Sequence, residues 1–115
     1  MEDKIEVLKT AAEYLVKLKQ GVKSIAEFYE SGDYNSGSKV VLDAVDGFQW
    51  IIQVVALTKD ELKQEIDENE LKDKFSEVVE AMENEDYILT GDLFQYEVLP
   101  ILEKYEVAIN ESILN

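Results

Sequence analysis

Apolar residues at alternating steps of three and four run through the N-terminal quarter of the chain, and this spacing constrains the fold more than any other feature. The residues are Leu8, Ala11, Leu15, Leu18, Val22, Ile25 and Tyr29. Such steps place side chains on one face of an α-helix. Gly32 then stands where glycine commonly ends a helix. The pattern predicts a long first helix, from about Glu2 to about Ser31.

Three further helices are predicted. The second starts within the polar residues 33–38 and ends near Leu57, although residues 48–57 are apolar on nearly all sides and rich in β-branched types, which leaves a strand as an alternative there. Thr58 and Glu61 have the spacing of a capping box, so the third helix is expected to begin at once. The fourth runs from about Asp86 toward Leu114. Its proline, Pro100, cannot donate a backbone hydrogen bond and is expected to bend the helix.

Two junctions between helices have similar sequences, at residues 30–34 and 83–87. In each, an aspartate (Asp33 or Asp86) can cap the following helix, and a tyrosine (Tyr34 or Tyr87) can pack against its first turn. We therefore expect one all-α domain, residues 1–115. It would be a four-helix bundle built from two helical hairpins, at about 2–57 and about 58–114, with the fourth helix kinked at Pro100.

The composition excludes several kinds of chemistry. The chain has no cysteine and no histidine, and all eleven of its basic residues are lysines. Disulfides, thiolate nucleophiles and cysteine or histidine metal sites are therefore excluded. The commonest general base is missing too. We expect a protein that is not an enzyme and that has no metal centre and no cofactor.

The net charge of −15 bears on partners and location. Binding to nucleic acid or to an anionic membrane surface is electrostatically unfavourable. No run of about 20 apolar residues suggests a membrane span, and acidic residues stand where a signal peptide would be basic. We expect a cytoplasmic protein with a protein partner that is basic or amphipathic.

The second helix has little polar surface opposite its inner face, which suggests an interface with another chain. The candidate interface residues are Phe48, Trp50, Ile51, Val54 and Val55. Gly47 and Gly91 lie inside helices, where glycine costs about 1 kcal/mol relative to alanine, and they can permit close helix approach at such contacts. A homodimer is the expected result.

Several polar residues interrupt apolar stretches of helices two and four. The candidates for a polar pocket are Asp43, Asp46, Asp92, Tyr96 and Glu97. If the two helices were neighbours, these groups could bind a small ligand or a divalent cation. The structural alternative is that Asp92 accepts a hydrogen bond from Tyr96 or another helix, while Asp43 and Asp46 face water.

The stretch from Asp86-Tyr87 through Asp92, Tyr96-Glu97 and Pro100 resembles uncharacterised small acidic helical-bundle proteins of bacteria. That resemblance implies no activity. In size, acidity and lack of cysteine, the chain is also similar to cytosolic export chaperones of the flagellar type, which hold amphipathic helices of their clients. The leading hypothesis is a non-enzymatic interaction or chaperone-like module that self-associates. The alternative is a small-ligand or cation-binding bundle.

Overall fold

The part of the chain that the structure describes folds into four helices. A computed structural model describes residues 3–114, and over this range it is helical with no strand. Helix α1 spans Lys4–Glu30, α2 spans Tyr34–Thr58 and α3 spans Glu68–Glu83. The fourth helix consists of α4 (Tyr87–Leu93), a π-helical turn (Phe94–Val98) and α5 (Leu99–Ile113). The prediction of an all-α four-helix bundle is confirmed, and the strand alternative for residues 48–57 is wrong. The ends of the predicted domain, Met1, Glu2 and Asn115, lie outside the described residues.

The helices surround one elongated core. Helix α1 packs against α2 on one side and against the fourth helix on the other, and α3 also contacts both. Helix α2 and the fourth helix therefore face each other diagonally. In the core, the Phe48 ring of α2 lies 5.0 Å from the Phe75 ring and 6.4 Å from the Phe94 ring, measured between centroids. The residues predicted as the apolar face of α1 are all buried.

The two similar junctions fold into the same turn. Gly32 and Glu85 both have positive φ angles, 84° and 54°. The next residue, Asp33 or Asp86, donates its backbone N–H to a carbonyl of the preceding helix over 2.9 Å. The carboxylates of these aspartates accept from backbone N–H groups of the following helix, as the capping prediction requires. Both turns lie at one end of the bundle, which we call the turn end.

The connection between α2 and α3 differs from the prediction. Thr58 does not begin a new helix. It is the last residue of α2, and its hydroxyl donates to the Val54 carbonyl over 2.7 Å. A short 3₁₀ turn (Lys59–Glu61) and an irregular segment follow before α3, whose N-cap is Asp67. The capping-box prediction is wrong because the Thr58 hydroxyl is buried and already bonded within α2.

Pro100 is accommodated by the turn that precedes it. The Leu99 N–H donates to the Phe94 carbonyl, five residues back, so the backbone widens into a π turn ahead of the proline. This wider turn makes room for the proline ring, which would otherwise collide with a carbonyl of the previous helical turn. The fourth helix is thus interrupted by a π turn over Phe94–Val98, and the bend expected at Pro100 stays a prediction.

By length and composition, the helical stretch Tyr34–Glu61 is apolar enough to cross a membrane. A core helix passes the same test, and one face of α2 is buried within the bundle.

Candidate functional site

A cavity lies at the turn end, between α1 and the fourth helix. We call it the tyrosine cavity, and its volume is about 530 Å³. It is lined by side chains from the ends of α1 and α2, from α4 and from the π turn. These residues are Ala26, Tyr29, Glu30, Tyr34, Tyr87, Ile88, Gly91, Asp92, Gln95 and Tyr96.

Three tyrosine rings form one wall of this cavity. Tyr34 and Tyr87, which hold equivalent positions in the two turns, stack with centroids 4.1 Å apart. Tyr29 lies 5.7 Å from Tyr34 and 6.5 Å from Tyr87. Its hydroxyl and the Ser38 hydroxyl are 2.8 Å apart and share a hydrogen bond. Burial and this hydrogen bond to Ser38 thus fix the position of the Tyr29 ring.

Small residues on two helices make room for Tyr29. A Cβ at Gly37 would lie 2.5 Å from the Tyr29 ring, and one at Gly91 would lie 3.0 Å from the Tyr29 Cβ. Helices α2 and α4 therefore approach α1 closely at this level, and a side chain at Gly37 would require the Tyr29 ring to move. The mid-helix Gly91 serves a contact within the chain.

The π turn also contributes to the lining of the cavity. Gln95 and Tyr96 lie within it and line the cavity. Tyr96 is 65% exposed and Ile88, on α4, is 79% exposed. Both side chains are therefore accessible to a molecule in the cavity. π turns within α-helices are also found frequently at functional sites.

The cavity is negatively charged. Glu30 and Asp92 line it, and neither carboxylate has an ion-pair or hydrogen-bond partner among the described residues. No lysine is among the lining residues. At the edge, the Tyr87 hydroxyl donates to the Glu85 carboxylate over 3.1 Å, and this hydrogen bond raises the pKa of Tyr87. The site combines aromatic surface with uncompensated negative charge.

The predicted polar pocket is only partly assembled. Asp92 and Tyr96 both line the tyrosine cavity, although no hydrogen bond joins them in the described structure. Glu97 instead pairs with Lys74 of α3 over 2.9 Å. Asp43 and Asp46 are exposed on α2 and line none of the cavities described here. Their predicted meeting with Asp92 is wrong, because α2 and the fourth helix are diagonal rather than adjacent.

A cation site of oxygen ligands is not formed by these groups. Over residues 3–114, no three acidic side chains converge in a way that could hold a metal ion. The residues predicted as cation ligands therefore do not support a divalent-cation site, which was one form of the alternative hypothesis.

The predicted interface on α2 is also wrong for four of its five residues. Phe48, Ile51, Val54 and Val55 are buried in the core of the single chain, where no second chain can reach them. The apparent excess of apolar surface arose because α2 buries a wide face against both α1 and α3. Self-association stays a prediction, but the α2 surface from which it was inferred is mostly buried within the single chain.

Trp50, the fifth candidate, is half-buried between α1 and α2. Its ring meets Tyr14 edge-on at a centroid distance of 5.9 Å. Tyr14 in turn lies over Gly47, where a Cβ would be 1.8 Å from the Tyr14 hydroxyl oxygen. Gly47 and Trp50 therefore serve packing between helices of one chain.

Sequence reasoning did not place the aromatic wall or Glu30 in this cavity. A signal for Tyr34 and Tyr87 was present, because the two similar turns each place a tyrosine after the capping aspartate. That repeat predicted two local contacts. It did not predict that the two turns meet, which depends on how the hairpins are arranged in space.

The fold and cavity define a small helical-bundle domain with a candidate binding site at one end. The chain belongs to the family described as Domain of unknown function (DUF8042), whose model matches residues 6–107. No curated protein and no solved structure is significantly similar to the chain. The family description assigns no activity, so function rests on the site itself.

Proposed function

We propose that this protein is a non-enzymatic interaction module that binds a basic segment of a partner protein in the tyrosine cavity. The observation that carries the proposal is the pairing of tyrosine rings with two unpartnered carboxylates, Glu30 and Asp92, in one cavity. As part of the same proposal, we place the protein in the cytoplasm, where its lack of cysteine is ordinary.

A cationic side chain satisfies both features of the cavity. An ammonium or guanidinium group gains from contact with an aromatic face, typically by about 0.5–2 kcal/mol. It also gains from an adjacent carboxylate, by about 0.2–1 kcal/mol at an exposed position. The net charge of −15 adds long-range attraction for a basic partner.

Chemistry on a substrate is less well supported by this site. The chain has no histidine, cysteine or arginine. The cavity offers carboxylates and phenols, and the pKa of Tyr87 is raised by its hydrogen bond to Glu85, which makes its phenol a weaker acid. A binding role needs none of the proton transfers that such groups perform poorly near neutral pH.

The test must separate binding in the cavity from general attraction to an acidic protein. We would measure the fluorescence anisotropy of a fluorescein-labelled decapeptide of alternating lysine and alanine as the protein is added. The test variant is Glu30→Gln with Asp92→Asn. The matched control is Asp43→Asn with Asp46→Asn, which removes the same charge from the exposed face of α2.

We expect the cavity variant to weaken binding by roughly fivefold to tenfold, and the control to change it by less than twofold. Tyr96→Ala should weaken binding without altering the charge. Equal weakening by the two double variants would contradict the proposal, because it would indicate attraction to the whole acidic surface.

A small organic cation is a second candidate ligand. The cavity volume of about 530 Å³ lies within the range of sites for small molecules. Spermidine, titrated in the same assay as a competitor, distinguishes the two. Binding of spermidine more tightly than the peptide, with the same loss in the cavity variant, would favour the small ligand.

A further inference from the structure

The tyrosine cavity continues along the bundle. A second cavity of about 240 Å³ lies beside it in the same seam between α1 and the fourth helix. The two share Ala26, Glu30 and Gln95 as lining residues, so they form one continuous groove. We call the two together the seam groove.

The chemistry of the seam groove changes along its length. At the turn end it is aromatic and negatively charged. The far end is lined by Lys23 of α1 and Leu99 of the fourth helix. Lys23 has no ion-pair partner among the described residues, although Glu27 lies one helical turn away in the same wall. The far end, with one lysine beside Glu27, is therefore close to neutral, whereas the turn end carries the two carboxylates Glu30 and Asp92.

The middle of the groove can bind a peptide backbone. Gln95 lines both cavities, and its exposed side-chain amide has no hydrogen-bond partner in the described structure. An amide offers both a donor and an acceptor, which is what an extended backbone requires of a neighbour. Ala26 opposite leaves space beside it.

The length of the groove fixes the spacing of the ligand groups. Glu30 and Lys23 are seven positions apart in α1, which corresponds to about 10 Å along a helix axis. A peptide in the polyproline II conformation has three residues per turn and rises about 3.1 Å per residue, so side chains three positions apart lie on the same side, about 9 Å from each other. A peptide that places a cationic side chain near Glu30 therefore places the side chain three positions away near Lys23.

We propose that the partner segment is a peptide in the extended polyproline II conformation with opposite charges three residues apart: a lysine or arginine in the tyrosine cavity and an acidic residue at Lys23. This inference rests on the proposed function, and it adds the conformation and charge pattern of the ligand. The acidic group of the peptide also explains why a lysine lines a groove that is otherwise negative.

The experiment compares short labelled peptides that share one lysine in an alanine background. One pair carries glutamate three positions after or three positions before the lysine, because the peptide can run in either direction. A matched pair carries glutamine at the same positions. Each peptide is titrated against the unaltered protein, against Lys23→Gln and against Lys63→Gln, an exposed lysine that lines neither cavity.

We expect one glutamate peptide to bind about threefold to fivefold more tightly than its glutamine counterpart, which is the effect of one exposed ion pair. Lys23→Gln should abolish that difference, and Lys63→Gln should leave it. Equal affinity of the glutamate and glutamine peptides would overturn this inference and leave the proposed function intact. If no lysine peptide binds, or if binding survives Glu30→Gln with Asp92→Asn, the proposed function fails as well.

Discussion

Tyr34 and Tyr87 stack face to face, with ring centroids 4.1 Å apart and planes inclined by 13°. Each residue follows the capping aspartate of its own turn, so the stack joins two segments that have the same local structure. The contact ties the two hairpins together at the turn end. It also forms the wall of the tyrosine cavity, which links the stability of the bundle to the shape of the site.

The stack should be measurable as a coupling energy. In a double-mutant cycle with Tyr34→Leu and Tyr87→Leu, we expect an interaction energy of about 0.5–1.5 kcal/mol, the usual worth of an aromatic pair. Urea unfolding followed by circular dichroism gives the four free energies. As a control, Tyr14→Leu combined with Tyr87→Leu should be additive. Additivity of the Tyr34 and Tyr87 changes would show that the stack contributes nothing.

Substitutions at the equivalent positions of the two turns, Gly32 and Glu85, should change the free energy of unfolding in opposite directions. Gly32 and Glu85 both have positive φ, a conformation that glycine adopts without strain and that costs other residues about 1–2 kcal/mol. Gly32→Ala should therefore lower the free energy of unfolding by about 1 kcal/mol, and Glu85→Gly should raise it by up to about 1 kcal/mol. The midpoint of urea unfolding measures both. Shifts of the same sign would contradict the equivalence of the turns.

Replacement of Gly21 and of Gly47 by alanine should also have opposite effects on stability. A Cβ at Gly47 would lie 1.8 Å from the Tyr14 hydroxyl oxygen, whereas one at Gly21 would meet nothing within 4 Å. Gly21→Ala should stabilise the protein by up to about 1 kcal/mol through helix propensity alone. Gly47→Ala should lose that gain and lower the melting temperature, because Tyr14 must move. A rise in melting temperature for both variants would show that Tyr14 yields without cost.

Tyr105 should be sensitive to deletion of one oxygen atom. Its hydroxyl donates to the Asp67 carbonyl and accepts from the Leu71 N–H, which closes the start of α3 against α5. Tyr105→Phe leaves both backbone groups without this partner, at a cost of about 1–3 kcal/mol. Urea unfolding at pH 7 measures the loss. A change below 0.5 kcal/mol would mean that water replaces the hydroxyl.

The same residue gives a pH dependence. Burial raises the pKa of Tyr105 above the ordinary value of 10.0, so the folded protein holds the phenol proton more tightly than the unfolded chain does. The stabilisation from this hydroxyl is therefore complete below pH 10 and declines as the pH rises further. The stability difference between the unaltered protein and Tyr105→Phe should be constant up to about pH 10 and shrink as the pH is raised further. A constant difference would contradict the assigned burial.

The periodicity of apolar residues was enough to predict the four helices, since each buries one stripe and the residues of α1 alternate regularly. The capping aspartates Asp33 and Asp86 were also predictable, because their role depends only on neighbouring residues. Thr58 was misread because its spacing from Glu61 suits a helix start, and sequence alone does not reveal that its hydroxyl is buried.

The site was less predictable because it depends on which helices are neighbours. Asp92 and Tyr96 could be grouped from the sequence because both lie on the fourth helix, and both line the tyrosine cavity. Asp43 was grouped with them on the assumption that α2 was adjacent, and the diagonal arrangement separates them. Phe48 illustrates the opposite error. It was predicted to lie at an interface with another chain, but α2 packs against both α1 and α3, so Phe48 is buried within the single chain.

The most direct measurement is a map of backbone amide shifts in the ¹⁵N-labelled protein as the lysine and alanine decapeptide is added. We expect the shifts to concentrate at the tyrosine cavity, at Gly91, Asp92, Gln95 and Tyr96, and to disappear in the Glu30→Gln, Asp92→Asn variant. Shifts spread evenly over the acidic surface, or centred on Asp43 and Asp46, would contradict binding of a basic segment in this cavity.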